Sequence, residues 1–187
     1  GKDANICVVN NCHDYKTVRQ KGDMDVYFDK DTKSNVKLDE LKSILESNAT
    51  KIVSVGRFSP EKGHGMLMKA FEKFSKKYPD SYLIIIGGHG ALYEQTMKYA
   101  ENSVSNIIII RNMSNPMAIM TISTNVQGPR GFVNEHGGVL VDVSVDGIYN
   151  GMISFMKGEI KAMNVDYQKY NEKAVEQFES LFEWMEK

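Results

Sequence analysis

Cysteine is scarce in this sequence: it occurs twice in 187 residues, at Cys7 and Cys12. Two thiols build no disulfide framework, so a reduced, cytoplasmic setting is the expectation. No CxxC pair or His/Cys cluster occurs, which argues against a structural zinc site. No apolar run approaches the ~18 residues that a membrane span needs, and no signal-peptide pattern opens the sequence. The net charge is -1, so there is no basic excess for a nucleic-acid partner. Both common phosphate-loop signatures are missing as well. No GxxxxGKS or GxxxxGKT occurs, and GGHGAL lacks the last glycine of GxGxxG. What is plentiful is apolar side chain, 42% of the chain, which suits a proper core and excludes general disorder. The length fits one domain of ordinary size and would cramp a second.

The apolar residues are patterned. Ile6 to Val9 is a short strand candidate, and KGDMDVYFDKDTKSN beyond it is charged and non-periodic, which predicts a loop or connector. KLDELKSILE, Lys37 to Glu46, puts Leu38, Leu41 and Leu45 on one face and predicts a short helix. From Lys51 the texture changes. KIVSVG is a β-rich run ending in glycine. Leu67, Ala70, Phe71, Phe74 and Tyr78 follow at helical spacing, and Pro79-Asp80 stops that helix. SYLIIIGGHG is a second run, a helix over about Ala91 to Glu101 follows, and Asn106 to Ile110 is a third run. Such runs alternating with amphipathic helices predict a parallel sheet covered on both faces, with right-handed βαβ connections. The expected fold class is therefore α/β, a Rossmann-like, doubly wound, mostly parallel sheet. Ile122 to Val126 and Gly138 to Val143 are further strand candidates, and Asp146 to Met156 and Asp166 to Trp184 are expected closing helices. The expected division is a connector with a short helix over residues 1–50 and one binding domain over 51–187.

In an open α/β sheet, ligands sit outside the carboxyl ends of the strands. GRFSPEKGH and GGHG both fall at such ends, after consecutive strands. Glycine there, at Gly56, Gly87, Gly88 and Gly90, lets a ligand approach the backbone. The helix that follows the first loop offers unpaired N–H groups. Arg57 adds a planar fork of donors and Lys62 a compact charge. Together these suit a phosphate or diphosphate. Two solvated loop charges would be written the same way, and the spacing alone does not choose between them.

KIVSVGRFSPEKGHGMLMKAFEKF, followed by YPDSYLIIIGGHGALYEQT, resembles the C-terminal nucleotide-sugar domain of retaining GT-B glycosyltransferases of family four. The markers are the GR-x4-KG element, the GxG-type loop after the next strand, and NIIIIRNMSNPMAIM, which resembles the strand and loop that hold the base. NVQGPRGFVNEHGGVLVD resembles the segment after the donor site. The wording is most similar to enzymes of teichoic-acid and cell-wall glycopolymer synthesis. The resemblance implies that Arg57 and Lys62 hold the donor diphosphate and stabilise it as it leaves. It implies that Gly56, Gly87, Gly88 and Gly90 bring the backbone close to donor or acceptor, and that Asn112 and Met113 border the base. It implies no metal and no cofactor beyond a nucleotide-sugar donor, with a UDP-sugar expected on family frequency. The implied partners are that nucleotide sugar, a glycan or polymer acceptor, and an N-terminal acceptor domain outside this chain. Peripheral attachment of the parent enzyme to the inner membrane face goes with it.

One departure stands out. Members carry a Glu-x7-Glu element near the donor sugar and ribose, whereas here MSNPMAIM runs straight into TISTNVQGPR. A helix starting at Asn115 and a strand starting at Thr121 would meet without a connector, although such loops usually take about 2–6 residues. A segment of roughly 30 residues, one βαβ-sized unit, is therefore expected to be missing between Met120 and Thr121. Glu135 does not match the missing motif. His64 and His89 flank the site and read as a loop or helix-start residue. Asp23 to Asp25 and Asp29 to Asp31 read as solvated connector charges. The competing readings are a nucleotide-binding module that has lost its chemistry, an NAD-binding Rossmann-like domain, and a scaffold that uses the cleft for a protein partner. An NAD fingerprint would need an acid about 20 residues beyond its glycines, and none is found here.

Overall fold

The computed structural model describes residues 30–113, 138–160 and 166–185, and besides these residues 14, 16–17, 20, 28 and 123–124. Contacts divide the chain into a unit formed by Asp25–Met163 and another that includes Asn164–Lys187. The site lies in the first. Of the second, the described element is the long helix Tyr167–Met185. The expected strand Ile6–Val9, the Met120–Thr121 junction, Asp23–Asp25 and Glu135 lie outside the described residues.

In chain order the first unit contains β1 (Lys33–Ser34), α1 (Leu38–Glu46), β2 (Thr50–Val55), a 3-10 turn (Pro60–Lys62), α2 (His64–Lys77), β3 (Ser81–Gly87), α3 (Tyr93–Asn102) and β4 (Ile107–Arg111). Then come β5 (Ser123–Thr124), β6 (Leu140–Val141) and α4 (Val145–Met156). One sheet has the order β1-β4-β3-β2, and β5 and β6 pair separately, in parallel. β2, β3 and β4 are parallel, with Ile52 opposite Leu83 and Leu83 opposite Ile107. The fold is thus α/β and Rossmann-like, with a mostly parallel sheet.

Side chains alternate between the faces of a strand, so an unbroken apolar run serves two cores at once. Leu83, Ile85, Ile107 and Ile109 join Phe58, Met68, Phe71, Phe74 and Met152 on one face. Ile84, Ile86, Ile108 and Ile110 meet Leu41 and Ile44 of α1 on the other. Helices therefore cover both faces.

Two details differ from the sequence pattern. On α2 the buried residues are His64, Met68, Ala70, Phe71 and Phe74, with Leu67 half-buried. Ala70, Phe71 and Phe74 are buried as expected, and His64 and Met68 join them in place of Leu67. On α1 the buried pair is Leu41 and Ile44, and Leu45 is half-buried. The connector, too, ends inside the sheet. Lys33 and Ser34 pair antiparallel with Arg111 and Ile110. Asn35 then substitutes a side-chain amide for further ladder: its Nδ2 donates to the Ile107 carbonyl at 2.9 Å, and its Oδ1 accepts from Ile109 N–H at 2.8 Å. The compact unit accordingly starts before residue 51, because β1 pairs into the sheet and α1 packs in its core. Among the described residues no helix is long and apolar enough to cross a membrane.

Candidate functional site

Three parallel strands end side by side, and their loops are stitched to one another. Gly56 N–H donates to the Ile86 carbonyl at 2.9 Å, and Asn112 N–H to that of Gly87 at 2.9 Å. This brings GRFSPEKG, GGHG and Asn112-Met113 to one edge of the sheet. These loops carry Gly56, Arg57, Lys62, Gly87, Gly88, Gly90, Asn112 and Met113.

Arg57 is 61% exposed. Its Nη2 lies 3.4 Å from Glu61 Oε1, an exposed pair that contributes little stability and releases readily. Ser59 Oγ donates to the same oxygen at 2.6 Å. That hydrogen bond first, then the local backbone and the charges of Arg57 and Lys62, lowers the Glu61 carboxyl pKa. The Lys62 side chain is exposed at its end, and its aliphatic stem lies over Gly56: a Cβ there would sit 3.4 Å from Lys62 Cδ.

The glycines do two different jobs. A Cβ on Gly87 would meet the Gly56 carbonyl oxygen and, at 2.7 Å, the Phe58 ring. One on Gly90 would run into the Phe58 backbone. Both positions are therefore required to be glycine by the protein's own packing. Gly88 is exposed, and the nearest neighbour of a Cβ there would be Asn112 Oδ1 at 3.8 Å, so room for a ligand is found at this glycine. Asn112 has φ 61°, a conformation that asparagine tolerates better than most residues. Its carbonyl accepts from Thr32 Oγ1 at 2.9 Å. The Met113 side chain packs with the α1-side core.

Three residues at this edge carried no role in the sequence pattern. Phe58 is buried between Arg57 and Ser59; its N–H donates to the His89 carbonyl at 3.0 Å, and its own carbonyl accepts from Leu92 N–H at 2.8 Å. Arg111, a third cation, donates from Nε to the Gly88 carbonyl at 3.0 Å and stacks 4.9 Å from the Tyr93 ring centroid. His64 is 4% exposed, and its Nε2 is 3.1 Å from the Arg57 carbonyl. A carbonyl only accepts, so Nε2 carries the proton and the buried Nδ1 is bare, with no partner among the described residues. The signal for His64 was its place one turn before Met68 on the stripe.

Burial pushes the His64 pKa below 6.5, outweighing the neighbouring backbone carbonyls. The folded state thus binds this proton less readily than the unfolded chain. Stability from this residue is fully present above pH 6.5 and falls as pH drops through the window below it. Urea unfolding over that range should show a loss that His64→Gln reduces. An identical pH slope in parent and variant would refute the buried neutral imidazole.

Comparison with known proteins agrees with this architecture. Residues 37–122 match the family model of glycosyl transferases group 1. No curated protein matches the chain. The matched span runs from the start of α1 to just beyond β4 and holds Gly56, Arg57, Lys62, Gly87, Gly88, Gly90, Asn112 and Met113. Over residues 37–122 the chain is therefore similar to glycosyl transferases group 1.

Proposed function

We propose that this module binds the donor of a retaining glycosyltransferase, a nucleoside diphosphate sugar, with UDP as the nucleotide. The parent reaction moves the sugar to a cell-surface glycan or polymer acceptor. The observation that carries the proposal is the pairing of two exposed cations, Arg57 and Lys62, with an open glycine, Gly88, at the carboxyl edge of the parallel strands. As the bond from the anomeric carbon to the diphosphate breaks, negative charge grows on the leaving oxygen. Cations already fixed there stabilise that state more than the intact donor, which is what accelerates a reaction. Arg57 has an anion partner in Glu61, and a phosphate would replace one oxygen acceptor by another. The Gly88 N–H and the first turn of α2 are neutral donors at the same edge.

Calorimetric titration with UDP, GDP, CDP, a UDP-sugar and NAD tests this. Selective binding of a nucleoside diphosphate over NAD is expected. Arg57→Ala and Lys62→Ala should each weaken UDP binding roughly 10- to 100-fold, the effect of removing one charged hydrogen-bond donor. Their thermal unfolding should stay at the parent value, because both side chains are exposed. Unchanged UDP affinity in both variants would refute the phosphate role.

A second reading, a nucleotide-binding module without chemistry, is favoured by the missing Glu-x7-Glu element. Both readings require UDP binding. They separate on turnover by the parent enzyme with its acceptor domain present: only the first releases UDP from the sugar nucleotide when an acceptor is supplied, which chromatography of the nucleotides detects.

A further inference from the structure

We infer that His64 is a positioning residue, the brace that fixes Arg57 relative to Lys62. The inference rests on the reading of those two cations as a phosphate clamp. Arg57 leaves the end of β2, while Lys62 closes the 3-10 turn just before α2. Two long side chains on different elements serve one phosphate only if their backbones hold a fixed spacing, because a clamp must be preorganised to act. Most of the Arg57 neighbourhood is tied to the sheet and the second loop. Gly56 N–H is bonded to Ile86, and Phe58 is bonded to His89 and Leu92. Along the first loop itself, Ser59 N–H donates to the Arg57 carbonyl at 2.9 Å, Lys62 N–H to the Ser59 carbonyl at 3.1 Å and Gly63 N–H to that of Pro60 at 3.1 Å, while Glu61 pairs with the Arg57 guanidinium at 3.4 Å. These close the turn on itself, and none of them joins α2 to Arg57.

His64 does reach it. It is the first residue of α2 and lies on the buried stripe with Met68 and Phe71, so packing directs its ring inward. The ring lies 5.7 Å from that of Phe58, and Nε2–H donates to the Arg57 carbonyl across the loop. One bond thus ties the start of the helix to the residue that carries the guanidinium. A purely apolar residue would fill the same core position better, since the bare Nδ1 is buried without a partner among the described residues. The gain that offsets it is the donor at Nε2, whose hydrogen bond goes to the Arg57 carbonyl.

Three variants test the brace. His64→Leu keeps bulk at the core position and removes the donor. His64→Gln carries an amide nitrogen as many bonds from Cα as Nε2, and His64→Asn carries one a bond too short. Amide hydrogen exchange at Phe58, Lys62 and Gly63 should quicken in His64→Leu and His64→Asn and stay parent-like in His64→Gln. UDP affinity should fall about tenfold in the first two and recover in the third. In an Arg57→Ala background, His64→Leu should cause little further loss, since it acts through Arg57. Parent-like exchange and affinity in His64→Asn, or a His64→Gln no better than His64→Asn, would overturn the inference, and this comparison stands even where His64→Leu does not fold. If the parent binds no nucleoside diphosphate, the donor reading falls by itself, and the exchange pattern decides the brace alone.

Discussion

Phe58→Ala should destabilise the protein by about 3–5 kcal/mol, the range for deleting a fully buried phenylalanine. The ring is completely buried, sits edge-on 5.1 Å from Tyr93, and covers Gly87. Its backbone makes one hydrogen bond to His89 and accepts another from Leu92. Removing the ring therefore opens a cavity where two loops and α3 converge. A domain with an ordinary total stability of about 5–15 kcal/mol loses a large share of it. The same change should weaken UDP binding, because Arg57 precedes Phe58 and the Gly88 loop packs against it. Urea unfolding gives the first quantity and titration the second. A loss below about 1 kcal/mol would mean that the loops collapse to fill the space, and that Phe58 does not anchor the site.

Gly90→Ala should cost about 2–6 kcal/mol. Gly90 has φ 148°, which strains any residue with a Cβ by about 1–3 kcal/mol. The added carbon would also be forced into the Phe58 backbone, and overpacking of this kind costs about 1–3 kcal/mol more. Backbone cannot rotate out of the way as a flexible side chain can. Gly88→Ala is the matched control, two residues away and with no atom closer than 3.8 Å to the new carbon. It should unfold at nearly the parent denaturant concentration. Equal stability of the two variants would show that the loop shifts freely, and the distinction between packing glycine and open glycine would be lost.

The parallel strands could be read directly from KIVSVG, SYLIIIG and NIIIIR, because a strand buried on both faces has to be apolar at every position. Arg57 and Lys62 were legible for a related reason: cations that follow such a strand have nowhere to go but its carboxyl edge. Other features depend on partners distant in sequence. Phe58 looks like a loop aromatic until Gly87 and Gly90 are folded beneath it. Those two glycines suggested room for a ligand, whereas the space is taken by Phe58 and the Gly56 carbonyl. Strand β1 is two residues long and without alternation, and Asn35 continues it with a side chain, so no period of two exists to be detected. The exchange of Leu67 for Met68 on the buried stripe of α2 has a simple source as well: the two are adjacent and both apolar, and His64, which decides between them, does not look like a core residue.

The β4 side of the main sheet is guarded against pairing with another chain. On the β4 side, Lys33 and Ser34 pair with the strand, and Asn35 occupies the Ile107 carbonyl and the Ile109 amide. Those groups are unavailable as a template, and a two-residue outer strand with a lysine in it offers little more. Strand addition by a second molecule is therefore halted at β1.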